Sequence, residues 1–290
     1  MAFEFDWIDA FTDQAFGGNG CAVVHDGAVL SDETCMAYVR ETSLVECTFT
    51  GPSDVADLRV KYYLPSREIP FAGHPTIATV TALRHRGKIG DGALTLETGA
   101  GIVAVDLNGP RITMTQIAPV FGEVVPSDLV AAIGGIDPAD ILHPPQIVST
   151  GLPFCVTLVR DRATLERVEL DEAALGAYFD YLGVSGTDMM EPYWITRQGA
   201  TARGETYARL LLAPPGPAED PFTGSATGAA ASYLWAHGLI EQPQFIAEQG
   251  HGMGRPGQAE VQVLGPRDAI AGVNVSGQGV VVMSGQVYLT

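Results

Sequence analysis

The sequence predicts a β-rich α+β protein built from two similar halves, and three observations carry that prediction. Short alternating or apolar runs bounded by Gly, Asn and Pro occupy most of the chain, as strands and turns do. Two segments rich in Ala and Thr read instead as helices, each led by a glycine. Those two segments also repeat each other. Glu68 to Leu83, EIPFAGHPTIATVTAL, aligns with Glu219 to Leu234, EDPFTGSATGAAASYL, and pairs Glu68 with Glu219, Pro70 with Pro221, Phe71 with Phe222, Gly73 with Gly224, Thr76 with Thr227, Ala78 with Ala229 and Leu83 with Leu234. The offset is 151 residues in a chain of 290, which indicates two related halves rather than a short-period solenoid. Gly-x-x-Thr before an Ala-rich helix also occurs as ordinary N-terminal chemistry, so the repeat has a plainer reading as well.

Taken in order, Phe3, Phe5, Trp7 and Ile8 alternate with Glu4 and Asp6 as an opening strand that breaks at Gly17-Gly18-Asn19-Gly20. Cys21 to Val24 is a short buried strand, and Ser31 to Arg40 a helix with a serine cap and an acidic first turn. Leu44 to Thr50 reads as a strand that carries Glu46 among apolar neighbours, and Leu58 to Leu64 as another. His74 to Arg86 is the first central helix, with Pro75 early, where a missing N–H costs little. Leu94 to Thr98, Ile102 to Leu107 and Arg111 to Gln116 form a meander with Gly-containing turns, and Pro119 to Pro126 is the crossing. The second half has strands near Phe154 to Val159, Tyr193 to Thr196 and Thr206 to Leu212, a helix near Asp171 to Leu182, and then the second central helix. Strands near Phe245 to Ala247, Ala259 to Leu264, Ile270 to Val275 and Val280 to Leu289 close the chain. The first half is expected at 1–118, completed by the last strand within 279–290, and the second at 119–278.

With 34 acidic and 16 basic residues the formal charge is -18, which argues against nucleic acid and anionic membranes as partners. A small anionic substrate remains compatible, because helix N-termini act at contact range. The start lacks a basic n-region and no long apolar run occurs, so a soluble cytoplasmic protein is expected. Cys21, Cys35, Cys47 and Cys155 have no metal-ligand spacing and read as buried free thiols.

Gly73 and Gly224 lead helices whose bare amides can bind an oxyanion. Between the copies, Ile69 faces Asp220 and His74 faces Ser225, so shape is shared and role divided. Proton abstraction from carbon needs a base held away from water, and Glu46, His74 and Asp220 sit at element junctions or among apolar neighbours. At a helix N-terminus His74 leans toward neutral. Each residue alone also has a structural reading: His74 as a helix cap, Glu46 as an edge-strand surface residue, Asp220 as a cap of the following turn. Ser225 lacks the nucleophile-elbow pattern because Thr223 stands where the first glycine belongs. Neither glycine cluster has dinucleotide or P-loop spacing, so neither cofactor nor metal is expected.

DAFTDQAFGGNG, SLVECTF, FAGHPTIAT, EDPFTGSATGA and QGHGMGRPG follow in that order from residue 9 to 257. Together they resemble the phenazine-biosynthesis PhzF-like family, of the diaminopimelate epimerase-like fold. The resemblance implies two pseudo-symmetric domains, each a barrel-like sheet wrapped around a central helix, with the active site in the cleft between them. It implies Glu46 as the acid/base residue, His74 and Asp220 flanking the substrate, and Gly73, Gly224 and Ser225 binding it. The expected activity is a cofactor-independent isomerisation that moves a proton between carbons of a small cyclic carboxylated metabolite. A catalytically silent ligand-binding protein of the same fold is the alternative, and a homodimer is an assembly that the sequence leaves open. Epimerases of this fold place a cysteine before each helix-leading glycine; here those places hold Ala72 and Thr223, which excludes a two-thiol mechanism. The chain departs from the PhzF pattern at Gly20-Cys21, where Pro-Ala is usual, and at Gly257, where serine is common.

Overall fold

The alternation of Phe3, Phe5 and Trp7 forms the first strand of the computed structural model, which describes residues 1–184, 191–214 and 217–289. In chain order the elements are β1 (Ala2–Ala10), β2 (Asn19–Val24), α1 (Asp32–Thr42), β3 (Cys47–Gly51), β4 (Leu58–Tyr63), β5 (Glu68–Ile69), α2 (Gly73–His85), β6 (Gly92–Thr98), β7 (Gly101–Asn108) and β8 (Arg111–Gln116). They continue with β9 (Val120–Val124), α3 (Ser127–Gly134), β10 (Gln146–Ser149), β11 (Pro153–Leu158), α4 (Arg162–Glu166), α5 (Glu172–Leu182), β12 (Pro192–Thr196), β13 (Thr206–Leu211) and β14 (Glu219–Asp220). The last elements are α6 (Gly224–Ala236), β15 (Gln244–Gln249), β16 (Gly257–Leu264), β17 (Gly272–Gly277) and β18 (Gly279–Tyr288). Two compact units result, Met1–Thr115 with Ser276–Thr290, and Gln116–Val275.

Strand pairing repeats from one unit to the other. In the first the order is β18-β1-β2-β3-β4-β6-β7-β8, antiparallel except for β2–β3 and β4–β6, with β5 against the end of β4. In the second it is β9-β10-β11-β12-β13-β15-β16, antiparallel except for β11–β12 and β13–β15, with β14 against the end of β13. Register extends the repeat beyond the helices. Leu58 pairs with Leu96 where Thr206 pairs with Ala247, which sets Glu97-Thr98-Gly99 against Glu248-Gln249-Gly250, again 151 residues apart.

Each unit wraps its sheet around one helix. Every residue of α2 from Gly73 to Leu83 is buried, and so is α6 from Gly224 to Leu234 except Ser225, as expected of helices without a polar face. Their many hydroxyls are accommodated by bonding back one turn: Thr76, Thr79 and Thr81 donate to the carbonyls of Ala72, Pro75 and Ile77, and Thr227 to that of Thr223, at 2.7–2.9 Å. Strand side chains then reach the same hydroxyls. Thr48 on β3 lies 2.8 Å from Thr79, Tyr62 on β4 lies 2.8 Å from Thr76, and Tyr193 on β12 lies 3.3 Å from Thr227. A second apolar layer covers each sheet, around Tyr38, Phe49 and Tyr63 in the first unit and Leu165, Tyr178 and Trp194 in the second.

Three expectations change. The strand read over Leu44 to Thr50 begins at Cys47, so Glu46 stands just before it, and it is buried rather than a surface residue of an edge strand. The crossing over Pro119 to Pro126 contains β9, which pairs with β10. The short elements α3, β10 and α4 have no counterpart in the sequence reading, because runs of four to eight residues span too few periods to register. All four cysteines are buried free thiols, and burial pushes Cys35, Cys47 and Cys155 up to about 12. Among the described residues no helix is long and apolar enough to cross a membrane.

Candidate active site

In the first unit three side chains converge at the start of α2. Glu46 is delivered by the turn between α1 and β3, His74 is the second residue of α2, and Asn19 opens β2. Gly18 makes the last placement possible: its φ is +50° and a Cβ there would collide with the carbonyl of Ala10. All three are at least nine-tenths buried. Asn19 Nδ2 lies 3.1 Å from His74 Nδ1, and Glu46 Oε2 lies 3.4 Å from the same nitrogen.

Burial alone pulls the His74 pKa from 6.5 to about 3, so the ring is neutral at physiological pH and its contact with Glu46 is not an ion pair. The Asn19 amide nitrogen offers only hydrogens, so Nδ1 accepts from Asn19, the ring proton sits on Nε2, and Glu46 Oε2 lies beside Nδ1 with no proton shared between them. Nε2 is buried and has no partner among the described residues. An orphaned buried donor costs about 1–3 kcal/mol, which an acceptor on a ligand would recover. The helix reading of His74 therefore changes in one respect: Ala72 is the N-cap, no side chain caps α2, and His74 is not a cap.

In the second unit the start of α6 is held by amides and hydroxyls. Asp220, on β14, accepts from the Thr223 hydroxyl at 2.5 Å. Gln249, at the end of β15 and fully buried, accepts from the Thr223 N–H at 3.0 Å and donates to the Asp220 carbonyl at 2.7 Å. Gln116 donates to the Gly224 carbonyl at 2.9 Å and accepts from Thr150 at 2.6 Å. Thr223 is the N-cap, yet its side chain makes no capping bond to the helix. Ser225, one residue into α6, is partly exposed.

Glu46, His74 and Gly73 thus cluster in the first unit, and Asp220, Gly224 and Ser225 in the second. The first set pairs a carboxylate with a neutral imidazole away from water, which is an arrangement for moving protons. The second holds a carboxylate beside an uncapped helix N-terminus. Sequence reasoning missed Asn19, Gln249 and Gln116. The signals were Asn in the glycine cluster and the EQG repeat of ETG; Gln116 has none.

The family model described as phenazine biosynthesis-like protein, PhzC-PhzF, matches residues 8–285. The chain belongs to this family. A trans-2,3-dihydro-3-hydroxyanthranilate isomerase from Pseudomonas chlororaphis is 32% identical, over 97% of this chain and 98% of that protein. An uncharacterized isomerase, YddE, from Salmonella typhimurium is 29% identical over 98% and 97%. The crystal structure of a Bacillus anthracis phenazine biosynthesis protein of the PhzF family matches with a TM-score of 0.87 at 25% identity, over 99% of both chains. Within the PhzF family this chain is an isomerase, of a diaminopimelate epimerase-like fold.

Proposed function

We propose that this isomerase shifts a proton between two carbons of a small cyclic carboxylated metabolite, with Glu46 as the shuttle. The observation that carries the reading is the burial of Glu46 beside His74, whose imidazole is neutral and whose Nε2–H is unpartnered. The Glu46 carboxylate takes a proton from one carbon, the electron pair left behind delocalises into the substrate's unsaturation, and the resulting carboxylic acid returns the proton to a second carbon. The reaction is redox-neutral and needs no cofactor. His74 Nε2–H donates to an acceptor on the substrate, while Asp220, Ser225 and the amides that follow Gly73 and Gly224 bind the substrate's polar groups. The Pseudomonas chlororaphis relative is named for a dihydro-hydroxyanthranilate, a ring bearing a carboxylate, and that class is the first to try.

The test is incubation of the protein in deuterium oxide with trans-2,3-dihydro-3-hydroxyanthranilate and other cyclic amino-carboxylic acids. Solvent deuterium is expected at carbon in the isomerised product, and Glu46→Gln is expected to abolish it. Exchange that persists in Glu46→Gln would remove Glu46 from the role.

A further inference from the structure

The hydrogen bonds around Gln249 have only one consistent direction. Thr223 N–H can only donate and the Asp220 carbonyl can only accept, so the Gln249 amide is oriented with Oε1 toward the first, at 3.0 Å, and Nε2 toward the second, at 2.7 Å. Tyr193 adds a donor to Oε1 at 3.1 Å. The remaining Nε2 hydrogen points at Thr223 Oγ1, 3.2 Å away. A hydroxyl that accepts there has one proton left to give, and it goes to Asp220 Oδ2 at 2.5 Å.

Threonine before a helix ordinarily turns its oxygen onto the amides of the first turn. Here that bond is missing. We propose that Gln249 is a positioning residue which, through Thr223, holds the Asp220 carboxylate in place and keeps the start of α6 uncapped. The proposal rests on the reading above, in which Asp220 and that helix start touch substrate. The first unit supplies an internal control. The place equivalent to Gln249 holds Thr98, whose hydroxyl serves its own turn at the Gly101 carbonyl and the Ala100 N–H, and the place equivalent to Thr223 holds Ala72, which has no hydroxyl to direct. Glutamine and threonine are present together in one copy and absent together from the other.

Gln249→Met retains length and removes every polar atom. In its crystal structure the Thr223 hydroxyl is expected to leave Asp220 and accept from an amide of the first α6 turn; a hydroxyl still on Asp220 overturns the proposal. Gln249→Leu, which also lacks the donor and adds no charge, gives the same readout if the methionine variant does not fold. With trans-2,3-dihydro-3-hydroxyanthranilate as substrate, Gln249→Met and Thr223→Val are each expected to lower kcat/KM about 10-fold or more, and the double variant no further than the worse single one. Multiplying losses would show that Gln249 acts independently of Thr223 and would also overturn it. Absence of turnover by the unaltered protein counts against the substrate assignment alone, since the position of the Thr223 hydroxyl still decides the inference.

Discussion

At the start of α2 the leading glycine stands between Ala72 and His74; at the start of α6 it stands between Thr223 and Ser225. The surrounding strands pair in the same order, both helices lack a side-chain cap, and a proline-glycine contact, Pro70 with Gly99 and Pro221 with Gly250, braces the segment before each. The backbone is common property of the two copies. What differs is the chemistry attached to it: the first copy buries an imidazole against a carboxylate, and the second replaces the imidazole with a closed set of hydroxyl and amide bonds around Asp220. A repeated backbone allows that division, because each copy can hold different side chains on the same frame.

Substitutions in the two copies should therefore differ in kind. The largest effect is expected from Glu46→Gln, which should lower kcat on the order of 10²-fold or more and leave KM nearly unchanged. Ser225→Ala should raise KM and alter kcat less than about 10-fold, as for a group that binds ground and transition states alike. Steady-state kinetics on the substrate that shows deuterium exchange checks both, and a kcat collapse in Ser225→Ala would break the comparison.

A second contrast concerns the two glycines. Gly250 has φ +81°, and a Cβ there would meet the carbonyls of Arg255 and, at 2.5 Å, Pro221. Gly250→Ala should therefore cost about 2–3 kcal/mol in urea unfolding. Gly99→Ala meets Pro70 Cα at 2.8 Å without a positive φ and should cost about 1 kcal/mol. Equal losses would mean that the two braces are equally tight.

The imidazole leaves its own signature on stability. Its pKa is near 3 folded and 6.5 unfolded, so between those values the unfolded chain binds the proton and the folded one does not. Stability is intact above pH 6.5 and is lost as pH falls through that window, by about 2 kcal/mol at pH 5 from this group. His74→Gln should remove that slope, as measured by the pH dependence of the unfolding midpoint; an unchanged slope would mean that His74 is not held neutral. The smallest expected difference is between Tyr62→Phe and Tyr193→Phe. Tyr62 loses the bond it donates to Thr76, whose own proton goes to the Ala72 carbonyl, and Tyr193 loses the bond it donates to the buried Gln249, so each should cost about 1 kcal/mol, Tyr193 slightly more.

Much of this was legible in the residues. Alternation located β1, Gly-containing turns the β6–β8 meander, and the repeated glycine-led segments α2 and α6. Glu46, His74 and Asp220 drew notice because a titratable group among apolar neighbours needs a reason to be there. Their partners did not. Asn19 is 55 residues from His74 and Gln249 is 26 from Thr223, and neither separation carries a period.

The sequence by itself determined the two-fold repetition, the bare helix starts and the set of residue types available for chemistry, because these follow from local pattern and from which side chains exist. Only the tertiary structure decided how those groups are tuned. Burial by strands distant in sequence holds His74 neutral, and Gln249 reaches Thr223 from another strand. Desolvation sums over every surrounding atom and a hydrogen bond requires approach to about 3 Å, and both depend on where the chain returns in space.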